Sequence, residues 1–301
     1  MLKSFPIQVF HLDLRIQVMT TSALRALADS LVKFGFNKIV LEWEATFPFQ
    51  KHPTLANQFV YTTKEIKDFI KHCHSIGLDT IPIQQCFGHV EYILQHDRYA
   101  HLREDERDIC QVCPLKADLA LPFFKELFTE LANAHQSKYF YVGCDETYVL
   151  GKCPNCHAKA NKIGKSRLYV DYLAKILAIV NKMGKQPLCP ADMLLKYPEA
   201  AKFLPKNTIL IDWNYGWKPT HFGDPQKLYD AGFEFWGSLA LRSGPDNYYL
   251  LSWEKHLNNY RDFIPYSRKH NYQGIVLTSW STSGIYGFEW DAFYEPIAMH
   301  P

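Results

Sequence analysis

The chain has 301 residues, a formal net charge of +2 and an aromatic content of 15%, and that length suits one barrel-sized domain or two smaller ones. Lys and Arg are scattered rather than striped, which excludes the electrostatic footprint of a nucleic-acid binder. No uninterrupted apolar run is long enough to be a membrane span.

The first segment, residues 7–14, is apolar but broken by polar residues and follows no small-residue cleavage site. It reads as a strand rather than a signal peptide, so a cytoplasmic protein is expected. Residues 22–34 then show the three-and-four spacing of an amphipathic helix. The alternation continues with a strand at 38–43, a helix at 64–76, a strand at 79–84, a helix at 121–134, a strand at 139–144 and a helix at 166–183. Strands at 186–191, 208–213 and 233–238, a helix at 253–270 and a strand at 274–278 complete it. Gly35, Gly77, Gly184 and Gly232 fall near helix ends and before strands, where left-handed caps belong. Strand, helix, glycine, strand, repeated to a count of eight, predicts an α/β fold of the (β/α)8 TIM-barrel class. Residues 1–301 are expected to form a single domain, with an open doubly wound sheet as the alternative. Two long connections, 86–118 and 145–165, follow the third and fourth strands and fall on the face where such barrels keep their chemistry.

The fourth strand empties into two adjacent carboxylates, Asp145 and Glu146. Neighbours in a regular strand point to opposite faces, so both address one ligand only if the backbone leaves the strand there. A blander reading has Asp145 capping a following helix and Glu146 complementing its dipole. The indoles near strand ends suit a carbohydrate, whose rings present apolar C–H faces to aromatic planes.

Eight cysteines without an export signal argue for thiols or a metal rather than a disulfide framework. Cys110 and Cys113 lie in the loop after the third strand, and Cys153 and Cys156 in the loop after the fourth. Adjacent strands bring these loops together, so the four sulfurs are candidates for a closed, structural zinc site, with His157 as a substitute ligand. Reduced thiols or a disulfide are the competing readings. Cys86, Cys144 and Cys189 sit in or beside strands and read as small core residues.

Seven segments in chain order carry a family resemblance: His11-Leu12-Asp13-Leu14-Arg15; Leu41-Glu42-Trp43-Glu44 with Phe47-Pro48-Phe49; Ile81-Pro82-Ile83-Gln84-Gln85 with Phe87-Gly88-His89-Val90-Glu91; His101-Leu102-Arg103-Glu104; Val142-Gly143-Cys144-Asp145-Glu146 with Leu150-Gly151; Ala191-Asp192-Met193-Leu194; and Gly274-Ile275-Val276-Leu277-Thr278-Ser279-Trp280. Together they resemble glycoside hydrolase family 20, the β-N-acetylhexosaminidases, and within it the cytosolic hexosaminidase D-like branch. The resemblance implies an exo-acting enzyme that removes a terminal β-linked N-acetylhexosamine from a small carbohydrate or glycoconjugate. It implies a retaining, substrate-assisted reaction in which the 2-acetamido oxygen attacks the anomeric carbon to give an oxazolinium ion. Glu146 would be the general acid and base, its pKa raised by burial beside anionic Asp145, and Asp145 would orient the acetamide. His89 would hydrogen-bond the acid, and Arg15 would donate to sugar hydroxyls. Trp213 would form an aromatic wall, Tyr215 would bond the acetamide oxygen, Trp280 would floor the subsite with Trp236 joining it, and Glu44 would support the site from behind.

The pattern departs in two places. Pro190-Ala191-Asp192-Met193 stands where the branch has Trp-Asp-Asp-Met, and Ser281-Thr282-Ser283 follow Trp280 where many members carry a glutamate. The choice between gluco and galacto sugars is therefore not legible. No cofactor is expected for catalysis, no nucleic acid or membrane partner is implied, and a homodimer is left open. A non-catalytic aminosugar-binding barrel with zinc-held loops, and a glycosidase with a protein nucleophile, are the competing functions.

Overall fold

The computed structural model describes residues 5–243 and 252–280. Eight parallel strands close into a barrel in sequence order: β1 Ile7–Asp13, β2 Lys38–Glu42, β3 Asp79–Gln85, β4 Tyr139–Gly143, β5 Gln186–Pro190, β6 Ile209–Trp213, β7 Glu234–Arg242 and β8 Gly274–Ser279. The ring shuts where β1 pairs with β8, from Ile7 opposite Gly274 to Leu12 opposite Ser279. Five long helices, Thr21–Lys33, Thr63–Ser75, Ala117–Ala134, Lys165–Lys182 and Trp253–Lys269, occupy the predicted places. The four glycines between helix and strand all have positive φ, from 72° to 93°, which is why the turns fall where the sequence puts them. Among the described residues no helix is long and apolar enough to cross a membrane.

The strand period of two divides the side chains into an outer and an inner set. Phe10, Leu12, Ile39, Leu41, Phe140, Val142, Leu210, Phe235 and Ile275 face the helices and join the large core. Val9, Val40, Ile81, Ile83, Tyr139, Tyr141, Leu188, Ile209, Ile211, Trp236 and Val276 fill the barrel interior. Higher up, the inward positions turn polar. His11, Asp13, Glu42 and Gln85 are all buried near the strand ends, above an apolar plug that separates these polar groups from the lower end.

β7 runs to Arg242, four residues past its expected end at Ser238, with a register shift between Ala240 and Arg242. A bulge of this kind re-aims side chains at a barrel rim. Here it carries Ser243 into the mouth. The loops after β3 and β4 hold short helices, Glu91–Leu94 and Asp97–Ala100, and a ten-residue helix, Pro154–Ile163, that periodicity did not single out. Cys153 caps that last helix, so neither Asp145 nor Glu146 is a helix cap.

Candidate active site

Arg15, His89, Asp145, Glu146, Trp213, Tyr215, Trp217, Ser243 and Trp280 line one cavity of about 200 Å³ at the C-terminal mouth of the barrel. The two carboxylates share it because the backbone turns sharply after β4. Glu146 has φ of 48°, a left-handed conformation that a glutamate rarely adopts. His89 opposite has φ of 53°, and strain concentrated at such positions is a mark of functional loops. The two turns are pressed together: a Cβ on Gly88 would sit 2.4 Å from the Asp145 carbonyl oxygen. Only glycine fits in Phe87-Gly88-His89, and its close approach brings the imidazole to the acids.

His89 Nε2 lies 3.3 Å from Glu146 Oε2 and 3.8 Å from Asp145 Oδ2. Burial alone would lower the imidazole, but the Glu146 hydrogen bond and the charges of both acids outweigh it and hold His89 at about 9. Burial pushes the Asp145 carboxyl above its usual range, with His89 opposing and Glu146 adding to the rise. Glu146 goes the other way. Burial would raise it, yet hydrogen bonds from His89 and Tyr148 keep it below the ordinary glutamate value. The expectation of a raised Glu146 is therefore corrected: the donors around it, invisible in the local sequence, outweigh its burial. Asp192, just beyond β5, accepts the Glu146 backbone N–H at 3.4 Å. Burial and then Asp145 push its carboxyl up to about 7.

Arg15 is fixed by Asp13, which receives Nε at 2.9 and 3.1 Å and Nη2 at 2.8 Å. The guanidinium also lies 5.7 Å from the Trp280 ring centre. Beneath it, Glu42 accepts from His11 at 2.8 Å and from Gln85 at 2.9 Å. Burial works against ionisation of Glu42, but Arg15 and His11 prevail and hold it at about 2. Gly143 leaves room for that network, since a Cβ there would overlap the Gln85 amide. Glu44 is buried beside Arg15 and Glu42 and does not line the cavity. Burial drives it well above the usual range, while Arg15 pulls it down.

The facing wall is aromatic. Trp213 and Tyr215 lie 5.1 Å apart, Trp217 stands 5.7 Å from Trp213, and the Trp280 indole donates to the Tyr215 hydroxyl at 2.9 Å. Trp236 does not join them. It is fully buried in the lower barrel interior, 5.1 Å from Tyr139, with its indole N–H given to Glu234 at 2.8 Å. Tyr148, Trp217 and Ser243 were not singled out from sequence, and Asp192 entered only as part of a motif, with no role given to it. Tyr148 and Trp217 each stand two residues beyond a predicted site residue, which is the signal that could have found them. Ser281, Thr282 and Ser283 lie outside the described residues.

The cysteine expectation is also corrected. Cys113, Cys153 and Cys156 do converge, but the fourth donor within 4.8 Å is Glu104. Cys110 is exposed, beside Glu91 and Asp108. Cys110 stands at a bend and Cys113 in extended backbone just before the turn Pro114–Lys116, so no helical turn brings this pair onto one face. Cys153 and Cys156 share a helical turn, where the same spacing keeps them together. His157 is not among the converging donors.

An acid pair and a histidine facing a bank of rings across a barrel mouth define the class of barrel glycosidases. The family description "Glycosyl hydrolase family 20, catalytic domain" matches residues 37–282, and the chain belongs to that family. It is 27% identical over 290 residues to hexosaminidase D of Bos taurus, an alignment covering 91% of this chain and 84% of that protein. Hexosaminidase D of Homo sapiens is 27% identical over 296 residues, with 92% of this chain and 60% of the human protein covered. Among solved structures, the β-N-acetylhexosaminidase of Bacteroides fragilis superposes with a TM-score of 0.72 at 19% identity, over 93% of this chain and 61% of that one. The exo-β-N-acetylglucosaminidase of Vibrio harveyi gives 0.72 at 18% identity, over 98% and 54%. The chain spans a little over half the length of these two structures and shares their barrel.

Proposed function

We propose that this glycoside hydrolase is an exo-acting β-N-acetylhexosaminidase that cleaves by substrate assistance. In the proposed reaction the acetamido oxygen of the bound sugar attacks the anomeric carbon as the leaving oxygen takes a proton from Glu146. The oxazolinium ion that forms carries positive charge on its nitrogen, which Asp145 receives as a hydrogen-bond acceptor. Water, deprotonated by Glu146, then opens the ring with retained configuration, and no protein nucleophile is consumed.

Glu146 rests as an anion in the free site, so its acid form needs a proton from nearby. The His89 imidazolium, 3.3 Å away, supplies it when a sugar fills the cavity and expels the water that stabilises the ion pair. Trp213, Trp217 and Trp280 stack on the apolar sugar face, Tyr215 contacts the acetamide, and Arg15 addresses ring hydroxyls. Glu44, buried beside Arg15, supports the site from behind that guanidinium rather than from the cavity wall.

The observation that carries the proposal is the convergence of Asp145, Glu146 and His89 on one aromatic-lined cavity. A non-catalytic binding barrel has no use for an acid held against a protonated histidine. Aryl β-glycosides with and without a 2-acetamido group test the mechanism. Hydrolysis is expected only of the acetamido sugars, with inhibition by a thiazoline mimic of the oxazolinium ion. Equal turnover of plain glucosides would replace the proposal with a protein-nucleophile mechanism.

A further inference from the structure

Glu104, Cys113, Cys153 and Cys156 belong to the loops after β3 and β4 but do not line the cavity. Their four donor atoms lie within 4.8 Å of one another. The Cys113 sulfur is 3.5 Å from that of Cys156 and 3.9 Å from that of Cys153. Four thiolate-type ligands around a tetrahedral zinc stand about 3.8 Å apart, given bonds of about 2.3 Å. The spacing therefore matches a coordination shell and exceeds that of a formed disulfide.

Three further features point to a cation. Glu104 is 2% exposed. Its Oε1 accepts the backbone N–H groups of Lys152 and Cys153 at 2.8 and 3.1 Å, while Oε2 makes no hydrogen bond of ordinary geometry and faces the Cys113 and Cys156 sulfurs. A buried carboxylate oxygen whose nearest neighbours are sulfurs is placed to share a cation with them. Cys153 is the N-cap of the helix Pro154–Ile163, and its sulfur accepts the Cys156 N–H at 3.3 Å. The cap position holds the Cys153 sulfur on the same turn as Cys156, facing Cys113. The partly exposed Cys153 also leaves an entry path, whereas Cys113 and Cys156 are buried.

We infer that Glu104, Cys113, Cys153 and Cys156 form a tetrahedral zinc site that ties the loop after β3 to the loop after β4. Soft thiolates with one carboxylate in tetrahedral array select zinc over hard cations, and four protein ligands leave no open position, so the ion is structural. The tie has a direct line to the reaction centre. Next to Cys113, Val112 donates its N–H to the Phe87 carbonyl at 2.9 Å, and Val90 donates to the Cys110 carbonyl at 3.1 Å, bracketing Gly88 and His89. On the other loop, Gln111 accepts the Val149 N–H at 3.1 Å, three residues beyond Glu146. A zinc ion at this place fixes the separation of His89 from Glu146 without touching either.

The test is elemental analysis of full-length protein prepared anaerobically from zinc-supplemented cells, with zinc release followed by titration with an organomercurial. About one zinc per chain is expected. Cys110→Ser should keep it, Cys156→Ser should lose it, Glu104→Gln should weaken it by about tenfold or more, and Glu104→Cys should restore it. Cobalt(II) added to chelator-stripped wild-type protein should give sulfur-to-metal charge-transfer bands and tetrahedral visible bands, a readout that depends on no variant. Less than about a tenth of a zinc per chain with no cobalt spectrum overturns the site. So does a Cys113–Cys156 disulfide in the anaerobic protein, or zinc that is lost in Cys110→Ser yet retained in Glu104→Gln.

Discussion

The two walls of the mouth are built by different means. Trp213 ends β6 and Trp280 follows β8 directly, so the aromatic wall is positioned by strand register over a packed interior. The acidic wall stands on loops. His89 and Glu146 both occupy left-handed backbone, and Gly88 lies against the Asp145 carbonyl. Rings that only need to present a face tolerate coarse placement by the barrel, whereas the proton exchange proposed between His89 and Glu146 needs a separation set by strained turns and their supports. Damage to the acidic wall should therefore appear in kcat, and damage to the aromatic wall in KM.

Glu146→Gln gives the largest effect. The amide keeps the shape and cannot supply a proton, so kcat should fall about 10³-fold while the melting temperature stays within a degree or two. Steady-state kinetics on a substrate with a poor leaving group measures this, and activity within tenfold of wild type would remove Glu146 from the acid role. Gly88→Ala is next and probes the support rather than the acid. The new Cβ meets backbone, which cannot step aside as a flexible side chain can, so the two loops must separate. A loss of about 100-fold in kcat and about 1–3 kcal/mol in unfolding free energy is expected. Unchanged kcat would mean that the close approach serves packing alone.

Trp217→Ala sharpens the other side. This ring lines the cavity, is 38% exposed, and stacks on His221 at 5.2 Å, so its removal leaves the core intact. KM should rise about 3- to 10-fold with kcat nearly unchanged and stability shifted by less than about 0.5 kcal/mol. A change in kcat as large as that in KM would erase the distinction between the walls.

The same contrast explains what could be read in advance. All eight strands and five long helices were legible because period-two and three-and-four patterns are properties of neighbouring residues, and glycine marks where one gives way to the other. Asp145 and Glu146 were legible as a pair that required the backbone to leave its strand. Trp236 misled because β7 was taken to end at Ser238, which put its indole near the top. The strand continues to Arg242, so that indole lies low in the barrel. Cys110 misled because a three-residue spacing shares a face in the helical turn of Cys153 and Cys156 but not across the bend at Cys110. The Glu146 pKa was misread because its controlling donors, His89 and Tyr148, reach it through the folded loops. Height along a strand and partners across loops are tertiary facts, and local patterns do not carry them.

The pH dependence of the His89–Glu146 pair has a definite sign. The folded protein holds His89 at about 9, above the 6.5 of a free imidazole. A group whose pKa rises on folding contributes stability that is fully present below its unfolded value and is lost as pH rises through the folded one. Wild-type stability should therefore decline between pH 6.5 and 9 by an amount that His89→Gln removes. With His89 still partly open to solvent, that amount is on the order of 1–2 kcal/mol. In the proposed mechanism the same titration reaches catalysis, because deprotonated His89 would have no proton to pass to Glu146. The alkaline limb of kcat/KM, which reports the free enzyme, should fall near pH 9 in wild type. Denaturant unfolding at a series of pH values, paired with pH–rate profiles of both proteins, measures the two together. If His89→Gln leaves the alkaline limb and the stability slope where they were, the proton held at this wall belongs to another group, and Asp145, whose carboxyl is also raised, becomes the one to pursue.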